Sequence, residues 1–381
     1  MTRSHILFLT SWYPTKKSPF AGDFVQRHAK AAALLNDITV LHAERNDKQK
    51  ESYEISVIKD SITEIRVHYK GSFFKPFNFF KRLAALYKGH KLTGNYDLIH
   101  LNVTYPAGIF ALFLKKFKHK KYVITEHWTG FRKEQFEKIN FVERFLIKQI
   151  VKNSDIILPV SQDLGESMLR ISPKTKMEII PNVIDTKVFT LNKNPIKNPI
   201  KKFLHLSSLK DEHKNISGML NVAKKLLDEG YQFEFHFGGT GSSELIESFN
   251  NQHHLENSIF YFPSLAYEEV PEKMWEFDSF VLFSNYENQP CVQGESFACG
   301  LPFIGTDVGG IKEFLPENFG FLIEKGNEKA LYEAMKKVLN NHSFASKKEM
   351  NHYAVNLFSR KVIAKRFDDI YQMILKNEQI K

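Results

Sequence analysis

Long apolar runs are missing from this sequence of 381 residues. No stretch approaches the roughly 20 consecutive apolar residues that a membrane-spanning helix needs. The longest candidates, Gly108–Leu114 and Ile156–Val160, have the length of a strand or a short helix. The early run HILFLT is too short for the core of a signal peptide, and no small-residue cleavage site follows it. We therefore expect a cytoplasmic protein rather than a secreted or membrane-spanning one.

Cysteine is equally scarce. The chain contains only Cys291 and Cys299, and the residues around them do not have the spacing of a metal site. A disulfide framework is therefore not expected, and no metal is predicted.

Acidic residues are under-represented in the first half of the chain. Residues 1–190 contain 31 Lys and Arg against 18 Asp and Glu, whereas the remainder contains 22 against 25. The basic residues include the runs KKFKHKK (Lys115–Lys121) and KPFNFFKR (Lys75–Arg82). This excess favours an anionic partner, either a membrane surface or an acidic ligand, and no motif for binding nucleic acid accompanies it. A solvated basic face without a partner is an equal alternative.

The chain is long for a single hydrophobic core, which favours two domains of roughly 180 residues each. Short buried runs alternate with amphipathic segments, the pattern of strand–helix units around a parallel sheet. The predicted strands are HILFLT, DITVLHA, DLIHLNV, YVITEH and DIILPVS in the first half, and FLHLSS, FEFHFGG, IFYFPS, SFVLFS and PFIGTD in the second. The predicted fold class is therefore α/β.

A stretch rich in Asn, Pro and Lys, residues 191–202, interrupts both sets of units and is interpreted as a linker. This interpretation places a first domain at 1–190 and a second domain at 203–359. The final segment, about 360–381, has apolar residues at helical spacing. This helix can pack on either domain, and a return to the first domain is one option.

Parallel sheets bind ligands at the carboxyl ends of their strands, so residues just after predicted strands are candidates for a site. In the first half, Gly22 stands where a loop opens a helix at about Asp23, and a glycine there admits a phosphate to free N–H groups. His127 follows the strand YVITE. Both have structural alternatives, because a glycine also serves turns and a histidine can satisfy a backbone carbonyl.

Two lysines follow the first strand of the second half. An ammonium group at Lys210 or Lys214 can neutralise a diphosphate as a fixed point charge. The alternative is an exposed lysine, which most lysines are. Gly239 belongs to the stretch FGGTG at the next strand end, whose spacing is not that of the dinucleotide fingerprint. We expect a close backbone approach to a cleft there.

The stretch YENQPCVQGESFACG contains two carboxylates, Glu287 and Glu295, after a predicted buried strand. Pro290 limits the start of the next helix, and Gly300 closes it. Glu287 would then precede the helix and Glu295 would lie inside it. Both can therefore point at one ligand without being adjacent.

The spacing of Glu287 and Glu295, followed by ESFACGLPFIGTDVGGIKE, resembles the signature of retaining family-4 glycosyltransferases of the GT-B fold. SWYP with AGDFVQRHA, TEHWTGF, VSQDL, IIPNVIDTKVF, HKN and FGGTG precede it in the order that this family shows. Asn182 and Asp185, from the PN-x-x-D element, have an expected structural role. The resemblance covers nearly the whole chain. It implies two Rossmann-like domains facing a central cleft, and transfer of a sugar from a nucleotide-sugar donor to a hydroxyl acceptor.

The resemblance also implies roles for individual residues. Glu295 would bind the ribose hydroxyls, Glu287 the hydroxyls of the donor sugar, and Lys214 the diphosphate. His127 would contact the transferred sugar, so the expected catalytic residues are His127, Glu287 and Lys214. The expected donor-binding residues are Gly22, Ser208, Lys210, Lys214, Gly239, Glu287, Gln289, Pro290, Cys291, Val292 and Glu295.

The resemblance implies neither a cofactor nor a metal, and no D-x-D motif stands at a predicted strand end. The expected partners are a nucleotide-sugar donor and a sugar or lipid-linked acceptor, in the synthesis of a cell-surface polysaccharide or glycolipid. An anionic membrane surface is a further expected partner for the basic first domain, which would attach the protein peripherally to the inner face of the membrane. Nucleic acid is not an expected partner.

One position departs from the family pattern. An arginine usually stands six positions before the phosphate lysine, and this chain has Ser208 there. Lys210 can replace that arginine only if it reaches the phosphate. The departure keeps open a second hypothesis, a catalytically weak protein of the same fold that binds a sugar nucleotide or an anionic surface. An epimerase or a phosphorylase fits the order of the motifs less well.

Overall fold

The computed structural model describes residues 3–15, 18, 20–194 and 198–376. The chain divides into two compact units: unit 1 contains the residues up to Val183 together with those from Arg360 onward, and unit 2 is Ile184–Ser359. Parts of the predicted linker (195–197) and of the predicted C-terminal segment (377–381) lie outside the described residues.

The secondary structure alternates strands and helices along most of the chain. The strands are β1 (His5–Thr10), β2 (Asp37–Arg45), β3 (Tyr53–Lys59), β4 (Thr63–Tyr69), β5 (Leu98–Asn102), β6 (Tyr122–Glu126), β7 (Ile156–Pro159), β8 (Lys201–Ser207), β9 (Phe233–Gly239), β10 (Ile259–Pro263), β11 (Ser279–Leu282), β12 (Phe303–Thr306) and β13 (Gly320–Ile323). The helices are α1 (Asp23–Ala32), α2 (Lys75–His90), α3 (Gly108–Lys118), α4 (Lys133–Phe136), α5 (Phe141–Lys152), α6 (Gln162–Ile171), α7 (Asp211–Lys214), α8 (Ile216–Asp228), α9 (Glu244–His253), α10 (Val270–Met274), α11 (Cys291–Ala298), α12 (Glu328–Leu339), α13 (Lys347–Phe358) and α14 (Arg360–Lys376).

Unit 1 is built on a sheet in the order β3-β4-β2-β1-β5-β6-β7. All neighbours pair in parallel except β3, which pairs antiparallel with β4. The inner strands are buried, as in β5 and β6, because helices cover the sheet on both faces. The last helix, α14, belongs to this unit and packs against α1, with Phe367 and Tyr371 in the core between helices and sheet.

The edge strand β3 and its neighbour β4 were not among the predicted strands. Their residues alternate or are exposed: β3 is exposed along nearly its whole length, so it lacks the continuous apolar run on which the strand prediction depended. The short strand β13, only partly buried, was missed for the same reason.

Unit 2 contains a wholly parallel sheet in the order β10-β9-β8-β11-β12-β13. Its core is rich in phenylalanine, and Phe203, Phe235 and Phe283 are completely buried. The predicted α/β class with parallel sheets is therefore confirmed. The strand order reverses between β8 and β11 in unit 2, and between β1 and β5 in unit 1. Loops diverge at such a switch point and leave a crevice at the carboxyl ends of the strands.

Candidate functional site

The switch point of unit 2 brings two of the predicted catalytic residues into contact. Lys214 ends the short helix α7 after β8, and Glu287 lies in the loop after β11. The Lys214 ammonium forms an ion pair with Glu287 Oε1, which also accepts a hydrogen bond from Ser284 Oγ at 2.8 Å. Both charged side chains are mostly buried, with 17% and 11% exposure. The pair therefore has a fixed position at the edge where a parallel sheet binds ligands.

Backbone hydrogen bonds hold the loop that carries Glu287. Asn285 N–H donates to the carbonyl of His213 at 2.8 Å, which ties this loop to α7. On the other side, the Thr306 hydroxyl donates to the carbonyl of Ser284 at 2.8 Å, and Gly310 N–H donates to the carbonyl of Asn288 at 2.5 Å. The loops after β8, β11 and β12 thus support one another around the ion pair.

The predicted cationic partner at position 210 does not join this pair. Lys210 is exposed and precedes α7, and among the described residues no hydrogen bond or ion pair involves its ammonium group. Ser208 is partly buried in the same loop. The contact around Lys214 therefore contains one cation and one carboxylate, without the second cation that the resemblance leads one to expect.

Gly239 permits a close approach between backbones, and the structure identifies its neighbour. A Cβ at Gly239 would lie 1.8 Å from the carbonyl oxygen of Ser207, and φ is +133°. A Cβ at Gly241, where φ is +121°, would lie 2.5 Å from the carbonyl oxygen of Ser208. These glycines are therefore required for packing the loop after β9 against the loop after β8.

The predicted donor-binding segment at the end of the YENQPCVQGE stretch forms the start of α11. Gln289 and Pro290 are buried, whereas Cys291 and Val292 are partly exposed. Pro290 precedes the first helical residue, so its ring supplies no capping oxygen. The helix start at residue 291 agrees with the predicted limit at Pro290.

Glu295 lies inside α11 and is only 4% exposed. The predicted order is therefore found: Glu287 precedes the helix and Glu295 lies inside it. Burial, and secondarily the charge of Glu295, raise the pKa of the neighbouring Cys299 thiol. Neither Cys291 nor Cys299 is in a disulfide.

In unit 1, His127 stands at the carboxyl end of β6 in a partly exposed position. Its backbone N–H donates to Glu126 Oε1 at 2.8 Å, as does that of Trp128. Its ring packs against the rings of Phe24 and His28 from α1, with centroids 4.2 and 5.3 Å away. Burial lowers the pKa of His127 well below its ordinary value, so the imidazole is neutral at neutral pH.

Two partners of His127 were not recognised from the sequence. The Asn182 side chain forms a hydrogen bond with the ring, so this residue orients His127 in addition to its expected structural role. The buried Glu126 carboxylate accepts further hydrogen bonds from the backbone and hydroxyl of Thr104. Burial raises the pKa of Glu126. Its position beside His127 in the sequence was the available signal.

Gly22 lies in the left-handed region, with φ of +75°, directly before α1. A Cβ there would approach the backbone carbon of Trp12 and the nitrogen of Tyr13 to 2.8 Å. The glycine thus lets the loop after β1 pack on the start of α1, the helix that contacts His127. Asp185, in unit 2, caps its own turn by accepting from Lys187 N–H at 3.2 Å.

Within the described ranges, no group of three or more His, Cys, Asp or Glu side chains is placed to hold a metal ion. The helices of the described chain also include none with the length and apolar character to cross a bilayer.

Comparisons with known proteins identify the family. The sequence model of the family described as Glycosyltransferase Family 4 matches residues 22–188. The model of the family described as Glycosyl transferases group 1 matches residues 188–356. Together the two matches cover both units.

Relatives and solved structures agree with these matches. N-acetyl-alpha-D-glucosaminyl L-malate synthase of Bacillus anthracis is 24% identical over 75% of this chain and 77% of its own. The N-acetylgalactosamine-N,N'-diacetylbacillosaminyl-diphospho-undecaprenol 4-alpha-N-acetylgalactosaminyltransferase of Campylobacter jejuni is 29% identical over 61% of this chain and 64% of its own. The sucrose-phosphate synthase of Thermosynechococcus elongatus superposes with a TM-score of 0.80, at 19% identity, over 98% of this chain and 100% of that one. The chain belongs to the family-4 glycosyltransferases of the GT-B fold.

Proposed function

We propose that this glycosyltransferase moves a sugar from a nucleotide-sugar donor to a hydroxyl acceptor with retention of anomeric configuration and without a metal ion. The observation that carries the proposal is the contact between Lys214 and Glu287 at the switch point of unit 2, supported by Ser284. These residues occupy the positions that the family motif assigns to the donor diphosphate and the donor sugar.

Each residue has a chemical task in this proposal. The bond between the sugar and the diphosphate breaks, and its electron pair stays on the departing diphosphate. The Lys214 ammonium neutralises that growing negative charge, which is the main electrostatic requirement of the step. Glu287 accepts hydrogen bonds from the sugar hydroxyls while holding Lys214, and Glu295 binds the ribose. The acceptor oxygen attacks from the face that the diphosphate leaves, and the leaving phosphate takes the acceptor proton.

His127 binds the transferred sugar in this proposal. A neutral imidazole, held by Asn182 and by the backbone contacts to Glu126, can donate or accept one hydrogen bond without adding charge. We also propose that no cofactor takes part.

The donor is tested first. UDP-, GDP- and ADP-sugars are screened by thermal shift, and the sugar that stabilises the protein is used in hydrolysis and transfer assays with and without EDTA. Proton NMR of the product reports the anomeric configuration. Retention and full activity in EDTA are expected. An inverted product or loss of activity that Mg²⁺ restores would contradict the mechanism. Donor binding without hydrolysis or transfer would favour the alternative, a protein that binds the sugar nucleotide but does not transfer the sugar. Ser208 at the family's arginine position is the observation that favours this alternative.

The acceptor is proposed to carry an anionic group and to belong to the synthesis of a cell-surface polysaccharide or glycolipid. The names of the two relatives support this: one transfers to L-malate, and the other transfers to a sugar that is linked to diphospho-undecaprenol.

We further propose that unit 1 attaches to an anionic membrane surface from the cytoplasmic side. The helices α2 and α3 are in contact and together contain seven Lys and Arg and no Asp or Glu. They and the preceding turn also expose a set of phenylalanines, between 42% and 107% accessible: Phe73, Phe74, Phe77, Phe80, Phe113 and Phe117. We call this set with its lysines the basic–aromatic face. Exposed aromatic rings among cations suit the interface of an anionic bilayer.

Vesicle flotation tests the basic–aromatic face. The protein should bind phosphatidylglycerol vesicles at low salt, bind phosphatidylcholine vesicles weakly, and dissociate as the ionic strength rises. Phe77→Ser with Phe80→Ser should reduce binding at least about tenfold, from the lost burial of two rings, whereas the control Leu245→Ser in unit 2 should not. Binding that persists at high salt, or that is absent at low salt, would count against the electrostatic mode. Concentration-dependent dimerisation abolished by the same double variant would assign the face to a second copy instead.

A further inference from the structure

Unit 1 contains an open pocket of about 310 Å³ at the carboxyl ends of β1, β2 and β4. Its walls come from the loop after β1, the end of β2, the end of β4 and α2, and they include Trp12, Tyr69, Glu44, Arg45 and Arg82. Parallel strands place their carboxyl ends at a ligand-binding edge. Ser11, Trp12, Tyr13 and Ala21, from the SWYP and AGDFVQRHA motifs, line the pocket, but none of the expected catalytic or donor-binding residues does.

Arg82 is a cation in this pocket without a carboxylate partner. Its Nη2 donates to the carbonyl of Ser11 at 2.7 Å, and its Nε is buried without a hydrogen-bond partner. In the part of the chain that the structure describes, no ion pair involves its guanidinium. Buried arginines are normally paired, because an unpaired charge costs much to desolvate.

The described residues around Arg82 also offer its guanidinium no opposite charge. Burial lowers the pKa of Arg82, with the nearby hydroxyls of Tyr69 and Tyr105 opposing the shift only in part. The other charges on the walls are already engaged: Arg45 pairs with Asp47 at 2.8 Å, and Glu44 lies 2.9 Å from His68 Nδ1.

We propose that this pocket binds an oxyanion, a phosphate or a carboxylate, with Arg82 as its principal ligand. The anion is part of the acceptor, whose hydroxyl receives the sugar; this identification rests on the proposed function. The planar set of N–H groups on a guanidinium suits such an anion. The bond to the Ser11 carbonyl uses only Nη2, so other N–H groups of Arg82 remain to donate to the anion. Trp12 and Tyr69 offer apolar walls to the remainder of the acceptor.

The position of Arg82 on α2 fits an anion that is attached to a lipid. The same helix presents Phe77 and Phe80 to solvent, on the basic–aromatic face, while Arg82 lines the pocket. A prenyl diphosphate and a small soluble acid each carry an oxyanion that a guanidinium can bind, but only the prenyl diphosphate carries a lipid chain.

Trp12 supplies a local readout. The chain has three tryptophans, so protein with ¹⁵N-labelled tryptophan gives three indole signals, and Trp12→Phe assigns the one from the pocket. Inorganic pyrophosphate, L-malate and farnesyl diphosphate are titrated in turn. At least one should move the Trp12 signal with saturation. An affinity at least tenfold higher for farnesyl diphosphate than for pyrophosphate would identify a lipid-linked acceptor. An affinity at least tenfold higher for pyrophosphate would identify a soluble anion.

Variants decide whether Arg82 is the ligand. Arg82→Gln should weaken binding at the Trp12 signal about 10- to 100-fold, the usual range for a lost charge-assisted hydrogen bond. The control Lys88→Gln removes the same charge from an exposed position on the same helix and should leave the affinity unchanged. No movement of Trp12 with any of the three probes, or equal affinity in Arg82→Gln, would overturn the proposal.

A purely structural role for Arg82 predicts a different pattern. If Arg82 only holds the Ser11 carbonyl, Arg82→Gln should lower the melting temperature and Arg82→Lys should not bind the anion better than Arg82→Gln. If Arg82 binds the anion, Arg82→Lys should recover most of the affinity. Donor-induced thermal shift should persist in both variants, since Lys214 and Glu287 lie in unit 2. Its absence in the wild type would instead remove the proposed function and leave the anion result standing.

Discussion

The two units have similar sheets, but they treat a cation at the ligand-binding edge differently. In unit 2, Lys214 is paired with Glu287, whose Oε1 also accepts a hydrogen bond from the Ser284 hydroxyl. In unit 1, Arg82 contacts a backbone carbonyl, and no carboxylate among the described residues pairs with it. A paired cation keeps its position in the empty site and needs little reorganisation when a phosphate arrives, which is how preorganised electrostatic sites work. An unpaired cation is stabilised when an external anion supplies the missing charge.

The largest expected effect concerns the paired cation. Lys214→Ala should reduce transfer about 100- to 1,000-fold, because the leaving diphosphate loses its principal neutralising charge. Lys210→Ala, which removes an exposed lysine four positions earlier, should change kcat/KM less than about threefold. Steady-state kinetics with the preferred donor measures both. Equal losses in the two variants would show that Lys210 acts on the phosphate despite its exposed position.

The support of Glu287 by Ser284 predicts a graded series. Glu287→Gln should lower kcat by about 10- to 100-fold, since the amide neither attracts Lys214 nor accepts sugar hydroxyls equally well. Ser284→Ala removes one neutral hydrogen bond and should cost about 1 kcal/mol of transition-state stabilisation, or roughly fivefold. Wild-type kinetics in Glu287→Gln would refute the assignment of this carboxylate to the donor.

The glycines of the two units offer a comparison of stability. Gly22 in unit 1 and Gly230 in unit 2 both have positive φ, but only Gly22 has backbone atoms where a Cβ would stand. Gly22→Ala should therefore lower the free energy of unfolding by about 2–4 kcal/mol, and Gly230→Ala by only about 1–2 kcal/mol. Urea denaturation measures the difference. Equal losses would mean that the loop after β1 adjusts to the added methyl group.

The histidines predict how stability depends on pH. Burial lowers the pKa of His28 to about 4 and that of His42 to about 3, both in unit 1. Such histidines are neutral in the folded chain and take up protons on unfolding below about pH 6.5. Stability is therefore full above that pH and falls as the pH decreases towards the folded-state pKa values.

Replacing one of these histidines checks the sign and the size of the change in unfolding free energy with pH. His28→Gln keeps a donor for the carbonyl of Pro181 and removes the titration. The drop in unfolding free energy between pH 7 and pH 5 should be about 2 kcal/mol smaller in this variant than in the wild type. An unchanged drop would show that His28 is not neutral in the folded protein, or that it does not become accessible on unfolding.

Particular elements show where sequence reasoning succeeded and where it failed. The buried strands β1, β5 and β6 were found because their apolar runs are continuous, and the helix starts at Asp23 and Cys291 followed from Gly22 and Pro290. The strands β3 and β4 were missed because polar residues interrupt their apolar runs, and because β3 is exposed along nearly its whole length. The site predictions depended mainly on the order of the family motifs.

By itself the sequence determined the α/β class, the family and the types of residue at the strand ends, because these depend on local periodicity and on motifs that are continuous in the chain. Only the tertiary structure decided which of those residues meet. Lys214 and Glu287 are 73 positions apart, and they touch because β8 and β11 are neighbours in the sheet. Arg82 lies in a basic run for which the sequence left an anionic partner and a solvated face as equal alternatives, and it lines a pocket because α2 packs over β2 and β4. Contacts of this kind depend on strand order, which the local pattern of residues does not encode.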